Sequence, residues 1–400
     1  MGNEMNLFAM LRKALRRAPQ KFLQFARVRK KWSNPSRAKI VIFDSMQANV
    51  LIPLFKGEHY EIVCGPEEEI YITPGIIFST IRYALKTRDL VMAYIIAVLD
   101  RIEPSIVVTF IDNSHLFQKA ARCYKNARFL AIQNGSRFFD MENPPGSPVI
   151  YHSEFVCFGR YEVDQYTRQG AIVEKFYPAG SLKDSYHRVR RPAQFPEKRF
   201  DLCLVAQIGP QFYKTYPMVM ESMDLLARHL KMFCERHGTT LCVASRLHHD
   251  RDKAQFEWQA EWFRERLGDF PQIIPNVLEE YTSYSVIDSS RVSLGMFSTL
   301  LREGFGRRNR ILSCNFTGYP FYDFLVDGPW SLNNQDYAVF EQRLLWLLNM
   351  TYDEFNSLCG DTSEYLIGYD EEVPTHVVVE ELISEALRGV PRPTTSRIGG

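Results

Sequence analysis

Short apolar, β-branched runs alternate with helix-period segments twice along this chain, on either side of a polar stretch at residues 186–199. In the first half, runs at 38–43, 60–64, 105–111, 129–133 and 155–158 read as strands. Segments 76–101 (one or two helices), 115–124 and 161–169 carry helical periodicity between them. In the second half, strand-like runs at 200–206, 240–244, 272–274 and 310–315 alternate with helical stretches at 217–237, 255–266 and 281–287. Helical segments at 338–349 and 374–388 complete the pattern. Parallel strands need a crossover between them, and a helix supplies it, so each half predicts a parallel sheet with helices on its faces. At 400 residues the chain also exceeds what one core usually holds. The expected fold class is α/β, with two parallel-sheet domains facing a cleft. The boundaries read as an arm at 1–36, a first domain at 37–185, a linker at 186–199, a second domain at 200–372, and a C-terminal helix and tail at 373–400.

A net charge of +1 gives no overall case for nucleic acid as a partner. The charge is nevertheless uneven: nine basic residues and no acid lie between Arg12 and Lys31, interleaved with Leu15, Phe22, Leu23 and Phe25. Leu7, Leu11 and Leu15 fall on one helix face, and Pro19 interrupts it. A basic amphipathic stretch of this kind, residues 7–32, suits an anionic membrane surface; a solvated arm is the plainer reading. The eight cysteines are scattered without a C-x-x-C pair and read as small core residues in a reducing compartment. No run of eighteen apolar residues occurs, so no spanning helix is expected.

In open parallel sheets ligands sit beyond the carboxyl ends of the strands, so the residues there are the candidates for chemistry. The stretch 291–306 reads as strand, serine-threonine turn and helix. Ser298 and Thr299 stand at an N-cap, where free N–H groups and hydroxyls attract a phosphate, and Glu303 lies one turn on, placed to accept from a ribose. An ordinary capped helix explains the same residues. Asp112, Asn113 and His115 follow the 105–111 strand; Gln133, Asn134, Gly135 and Arg137 follow the next one. Gln207 ends an otherwise apolar strand, and Gly180-Ser181 stands before the linker. Arg246 and His248 follow the 240–244 strand, offering a phosphate-neutralising guanidinium and an imidazole acid or base. Adjacent histidines seldom reach one metal together, so His248, His249 and Asp250 do not predict a metal site. The segment around Glu279, Glu280, Tyr281, Tyr284 and Ser285 precedes the serine-threonine turn by one helix. No G-x-S-x-G, Walker A or H-E-x-x-H motif occurs.

The ordered pieces 111–114, 131–135, 158–159, 179–181, 201–207 and 298–303 together resemble bacterial surface-carbohydrate biosynthesis proteins, a group similar to two-Rossmann (GT-B) glycosyltransferases. The resemblance covers about residues 38–350. It implies a metal-independent glycosyltransferase without a bound cofactor, using a nucleotide-sugar donor (CMP-Kdo, or another CMP or UDP sugar) and a lipid-linked or surface polysaccharide acceptor. The His-Pro pair of capsule Kdo enzymes is absent. The donor would lie in the second domain near Gln207, Arg246, Ser285, Ser298, Thr299 and Glu303. The acceptor would lie near Asn113, Gln133, Asn134 and Arg137, with Asp112 as base or nucleophile and His248 as its rival. The implied location is cytoplasmic, peripheral to the inner membrane. A nucleotide-sugar epimerase, a CDP-glycerol-type phosphotransferase and a non-catalytic glycan assembly protein are the alternatives.

Overall fold

The computed structural model describes residues 28–137, 147–190 and 197–389. The first half supplies strands β1 (Arg29–Lys31), β2 (Ile40–Phe43), β3 (Tyr60–Val63), β4 (Glu69–Tyr71), β5 (Ile106–Thr109), β6 (Arg128–Ile132), β7 (Tyr151–Cys157) and β8 (Ile172–Pro178). Six of these form one parallel sheet in the order β3-β2-β5-β6-β7-β8. Every residue of β2, β5 and β6 is buried, as a sheet covered on both faces requires. Side chains alternate across it. Val41, Phe43, Val107 and Phe129 pack against helix Leu90–Ile102 on one face. Ile40, Ile42, Ile106 and Val108 pack on the other against Leu51, Leu54 and Phe55, and against Val379, Leu382 and Ile383 from helix Thr375–Leu387. The chain's last described helix therefore returns to close the first domain's core, although sequence order sets it behind the second.

The second half supplies β9 (Phe200–Val205), β10 (Leu241–Ala244), β11 (Gln272–Ile274), β12 (Ser290–Gly295), β13 (Ile311–Cys314) and β14 (Ser331–Leu332). They form a second parallel sheet in the order β11-β10-β9-β12-β13-β14, the doubly wound order of a Rossmann fold. Strand order reverses between β9 and β12, and a crevice opens beyond their carboxyl ends.

Three expectations change. Residues 67–69, expected as a loop, lead into β4, and Arg29–Lys31, expected within the free arm, pairs with it as β1. Glu69 draws the strand in by ion pairs to Arg29 and Lys31 at 2.8 and 2.7 Å. Arm residues 1–27 lie outside the described residues. Residues 186–190, expected to open the linker, are the end of helix Leu182–Arg190. Two short helices, Tyr352–Cys359 and Thr362–Leu366, lack an extended apolar period and were not expected. Segment 76–101 resolves into helices Pro74–Thr87 and Leu90–Ile102, each capped by a side chain (Thr73 and Asp89).

The two halves meet closely at Gly159. A Cβ there would stand 2.4 Å from the Tyr365 carbonyl oxygen and 2.8 Å from the Leu366 carbonyl. Backbone on both sides cannot yield as a side chain would. Gly159→Ala is expected to cost about 2–3 kcal/mol of stability, read from the denaturant midpoint.

Candidate functional site

A cavity of about 380 Å³ occupies the crevice at the β9–β12 reversal. Gln207 reaches it from the end of β9, Ser245 and Arg246 from the end of β10, and Phe297, Ser298 and Thr299 from the end of β12. Asn134 and Lys183 close it from the first domain. Ser298 caps helix Thr299–Gly306: its Oγ accepts the Leu300 N–H at 3.2 Å. Thr299 Oγ1 accepts the Ser136 N–H from the other domain at 2.9 Å. Each hydroxyl thus uses a lone pair and keeps a proton to donate, beside the positive end of the helix dipole. Gln207 is fixed in turn, its Oε1 accepting the Met296 N–H at 3.1 Å.

Glu303 also lines the cavity but is 3% exposed. Ser181 and Tyr284 both donate to its Oε1. Burial, reinforced by the charge of Asp184, raises its carboxyl to about 7, against the pull of Ser181, Arg307 and Lys183. Burial beside Glu303 also pushes the Tyr284 phenol well up. Beneath Glu303 runs a buried charge chain. Arg307 donates through Nη1 to Asp184 and through Nε to Asp288 at 2.8 Å, and His187 Nε2 pairs with Asp288 at 2.8 Å. Asp184 and His187 belong to helix Leu182–Arg190, whereas Arg307 and Asp288 belong to the second domain, so the chain crosses the junction.

Of the residues singled out by sequence, Asn134, Gln207, Arg246, Ser298, Thr299 and Glu303 come together here. Others do not. Asp112 is fully buried, and its carboxylate accepts from Arg137 Nε (2.8 Å), Arg137 Nη2 and the Asn134 N–H (3.2 Å). A carboxylate held by a bidentate guanidinium holds the 133–137 turn in place and is not free as a base or nucleophile. Arg137 is committed to the same pair. Gln133 is 1% exposed: its Nε2 donates to Glu162 at 3.1 Å, and its Oε1 accepts the Phe158 N–H at 2.8 Å. Asn113 is exposed and lies off the cavity. His248 lies off it too; its Nδ1 accepts the backbone N–H groups of Asp250 and Arg251, which makes it a turn cap. Ser285 faces solvent, and its neighbours Ser283 and Tyr284 line the cavity in its place. His248, His249 and Asp250 bring ligand atoms within 4.8 Å of one another on the exposed surface, away from this cavity.

Sequence reading missed Lys183. Its ammonium donates to the Gln47 side-chain amide, and no carboxylate among the described residues lies within ion-pairing distance. Burial lowers its pKa, with Glu303 opposing. A faint signal existed: a lysine in the first turn of a helix opposes the helix dipole, so its place there needs a reason from elsewhere. Lys183 also lines a neighbouring cavity of about 190 Å³ with Tyr186, Tyr281 and Tyr284. A larger cavity of about 660 Å³ lies at the opposite end of helix Thr299–Gly306, near Arg188, Arg308 and Tyr352, away from the strand ends.

The fold has counterparts among known proteins. A family described as "putative O-antigen biosynthesis protein" matches residues 193–379, the second domain and the start of the helix that follows it. A histidine-to-alanine variant of the wall teichoic acid polymerase TagF superposes with a TM-score of 0.53 at 9% identity, over 97% of this chain and 99% of that one. A "putative UDP-N-acetylglucosamine 2-epimerase" from Listeria monocytogenes superposes with a TM-score of 0.52 at 11% identity, over 88% and 96%. The fold is that of the two-Rossmann GT-B class. No curated protein sequence matches the chain. At these identities the likeness speaks for architecture, and chemistry has to be argued from the cavity.

Proposed function

We propose that the chain is a glycosyltransferase of surface-carbohydrate synthesis, moving a sugar from a nucleotide-sugar donor to a lipid-linked or polysaccharide acceptor. One observation carries this reading. The start of helix Thr299–Gly306, with two hydroxyls that can still donate, opens on a cavity between two Rossmann-like domains that also holds Arg246 and Lys183. In this reading the donor's phosphates lie on Ser298 and Thr299, and Glu303 accepts from the ribose. Helix dipole, hydroxyls and the two cations stabilise the charge that grows on the leaving phosphate, so no metal is needed. The similarity to an O-antigen biosynthesis family supports the substrate class. A CMP, CDP or UDP sugar is the proposed donor.

A thermal-shift screen of CMP, CDP, UDP and GDP tests it, since a ligand that binds only the folded chain raises its melting temperature. CMP, CDP or UDP is expected to do so. Ser298→Ala with Thr299→Ala should weaken that nucleotide at least about tenfold, because each lost hydrogen bond to a charged phosphate is worth about 1.5–3 kcal/mol. Unchanged calorimetric affinity in the double variant would remove the phosphate from this helix. The epimerase-like architecture favours a second reading, isomerisation of the donor alone. Donor turnover without any acceptor would select it.

A further inference from the structure

Helix Pro74–Thr87 carries apolar side chains on two faces. Ile76 and Tyr83 turn inward to the first domain's core. Ile77, Phe78, Ile81 and Leu85 turn outward and are 48%, 71%, 56% and 80% exposed. At 3.6 residues per turn these four fall within about 100° of one another, so they form one continuous stripe. Across the turn at Arg88, Leu90 and Val91 extend the stripe at 67% and 44% exposure. A fold buries such residues unless something outside the described chain covers them.

The charge around the stripe says what that is. Arg82, Lys86 and Arg88 are exposed beside it, and residues 74–87 contain no acid. The basic arm joins the fold at the same place. β1 pairs with β4 immediately before this helix, the Ile72 N–H donates to the Lys31 carbonyl at 2.7 Å, and Thr73 Oγ1 donates to Asn34 at 2.8 Å. Trp32, 72% exposed, stands at that junction. Nine basic residues without an acid between Arg12 and Lys31 therefore lead directly to a basic-rimmed apolar stripe.

We propose that this face docks on an anionic lipid bilayer, with Ile77, Phe78, Ile81 and Leu85 entering the interface and the basic residues meeting the head groups. The Ala38 N–H donates to the Ile102 carbonyl at the amino ends of the strands. The other end of helix Leu90–Ile102, with Leu90 and Val91, therefore lies toward the carboxyl ends, where the cleft opens. A bilayer here lies beside the cleft mouth, within reach of a lipid-borne acceptor. The surface itself stands without the transferase reading.

The test is flotation of the full-length chain with vesicles of phosphatidylglycerol mixed with phosphatidylcholine, against phosphatidylcholine alone. The chain is expected to bind the mixed vesicles only. Phe78→Gln, Ile81→Gln and Leu85→Gln together should cut that binding at least about tenfold, with melting temperature and nucleotide response unchanged, since all three side chains face solvent. Failure of the wild-type chain to bind overturns the proposal. So does undiminished binding of the triple variant, which would leave the arm as the whole anchor. A fall in melting temperature of the variant would mean that the chain's own arm covers the face, and a change from dimer to monomer in sedimentation would mean that a second copy does; either result overturns it. Loss of nucleotide response in the wild-type chain would bear on the transferase reading alone.

Discussion

Arg302→Ala is expected to cost about 3–5 kcal/mol, the usual penalty for stranding one member of a buried ion pair. Arg302 and Glu162 are each 1% exposed in their side chains. Arg302 Nη1 and Nη2 donate to the two Glu162 oxygens at 2.6 and 2.7 Å, and Nη2 donates again to the Leu366 carbonyl at 2.6 Å. The guanidinium also stands 5.0 Å from the centroid of the Phe158 ring. Without it, Glu162 keeps only the neutral donors Gln133 and the Gly159 N–H in a site closed to water. Arg302 belongs to the second domain and Glu162 to the first, so the loss falls on the junction. Replacing both by methionine should recover most of the stability, because a dry apolar contact removes two desolvation penalties at once. Urea unfolding midpoints of the two variants decide it. A loss below about 1 kcal/mol for Arg302→Ala would mean that water reaches the pair and the domains are joined more loosely than described.

Glu303→Gln is expected to stabilise the chain above neutral pH and to do little in acid. A carboxyl raised to about 7 in the fold, from its ordinary value of 4.5, keeps its proton where the unfolded chain has lost it. The folded state therefore binds more protons between those two values, and stability falls as pH rises through that window. Well above pH 7 the cost is complete, on the order of 3 kcal/mol. Glutamine keeps an oxygen for the hydroxyls of Ser181 and Tyr284 and carries no charge, so the gain should be full at pH 8.5 and only about a quarter as large at pH 5. Urea titrations at those two pH values measure it. An equal effect at both would show that Glu303 stays ionised throughout. If a ribose hydroxyl donates to this carboxylate, nucleotide affinity of the wild-type chain should rise from pH 6 to pH 8.

How far the site could be read beforehand depended on local against distant causes. Ser298 capping a helix and Gln207 ending an apolar strand are consequences of a few neighbouring residues, and both reach the cavity. Asp112 and Gln133 had the same local signature, polar residues at strand ends. Arg137 in one case and Glu162 with Arg302 in the other hold Asp112 and Gln133 off the cleft, whereas Asn134 accepts from Arg137 and still lines the cavity; no spacing rule announces such partners. Lys183 was overlooked because its meaning comes from Glu303 and Tyr284, more than a hundred residues away. Helix Pro74–Thr87 was legible as a helix, but not as one with an exposed apolar face, because the same residues would serve a helix buried all round.

The sequence by itself determined most of the strands and helices and their alternation into two parallel sheets, since period-two and period-3.6 patterning are written in consecutive residues. Only the tertiary structure decided which of the flagged polar residues face the cleft and which lock the domains together. It also decided that the last helix closes the first domain, and which apolar stripe is left uncovered. Those outcomes depend on pairing buried charge and filling a core across long stretches of chain. The energy of such contacts is fixed by proximity in space, and proximity between distant residues is what a linear pattern does not carry.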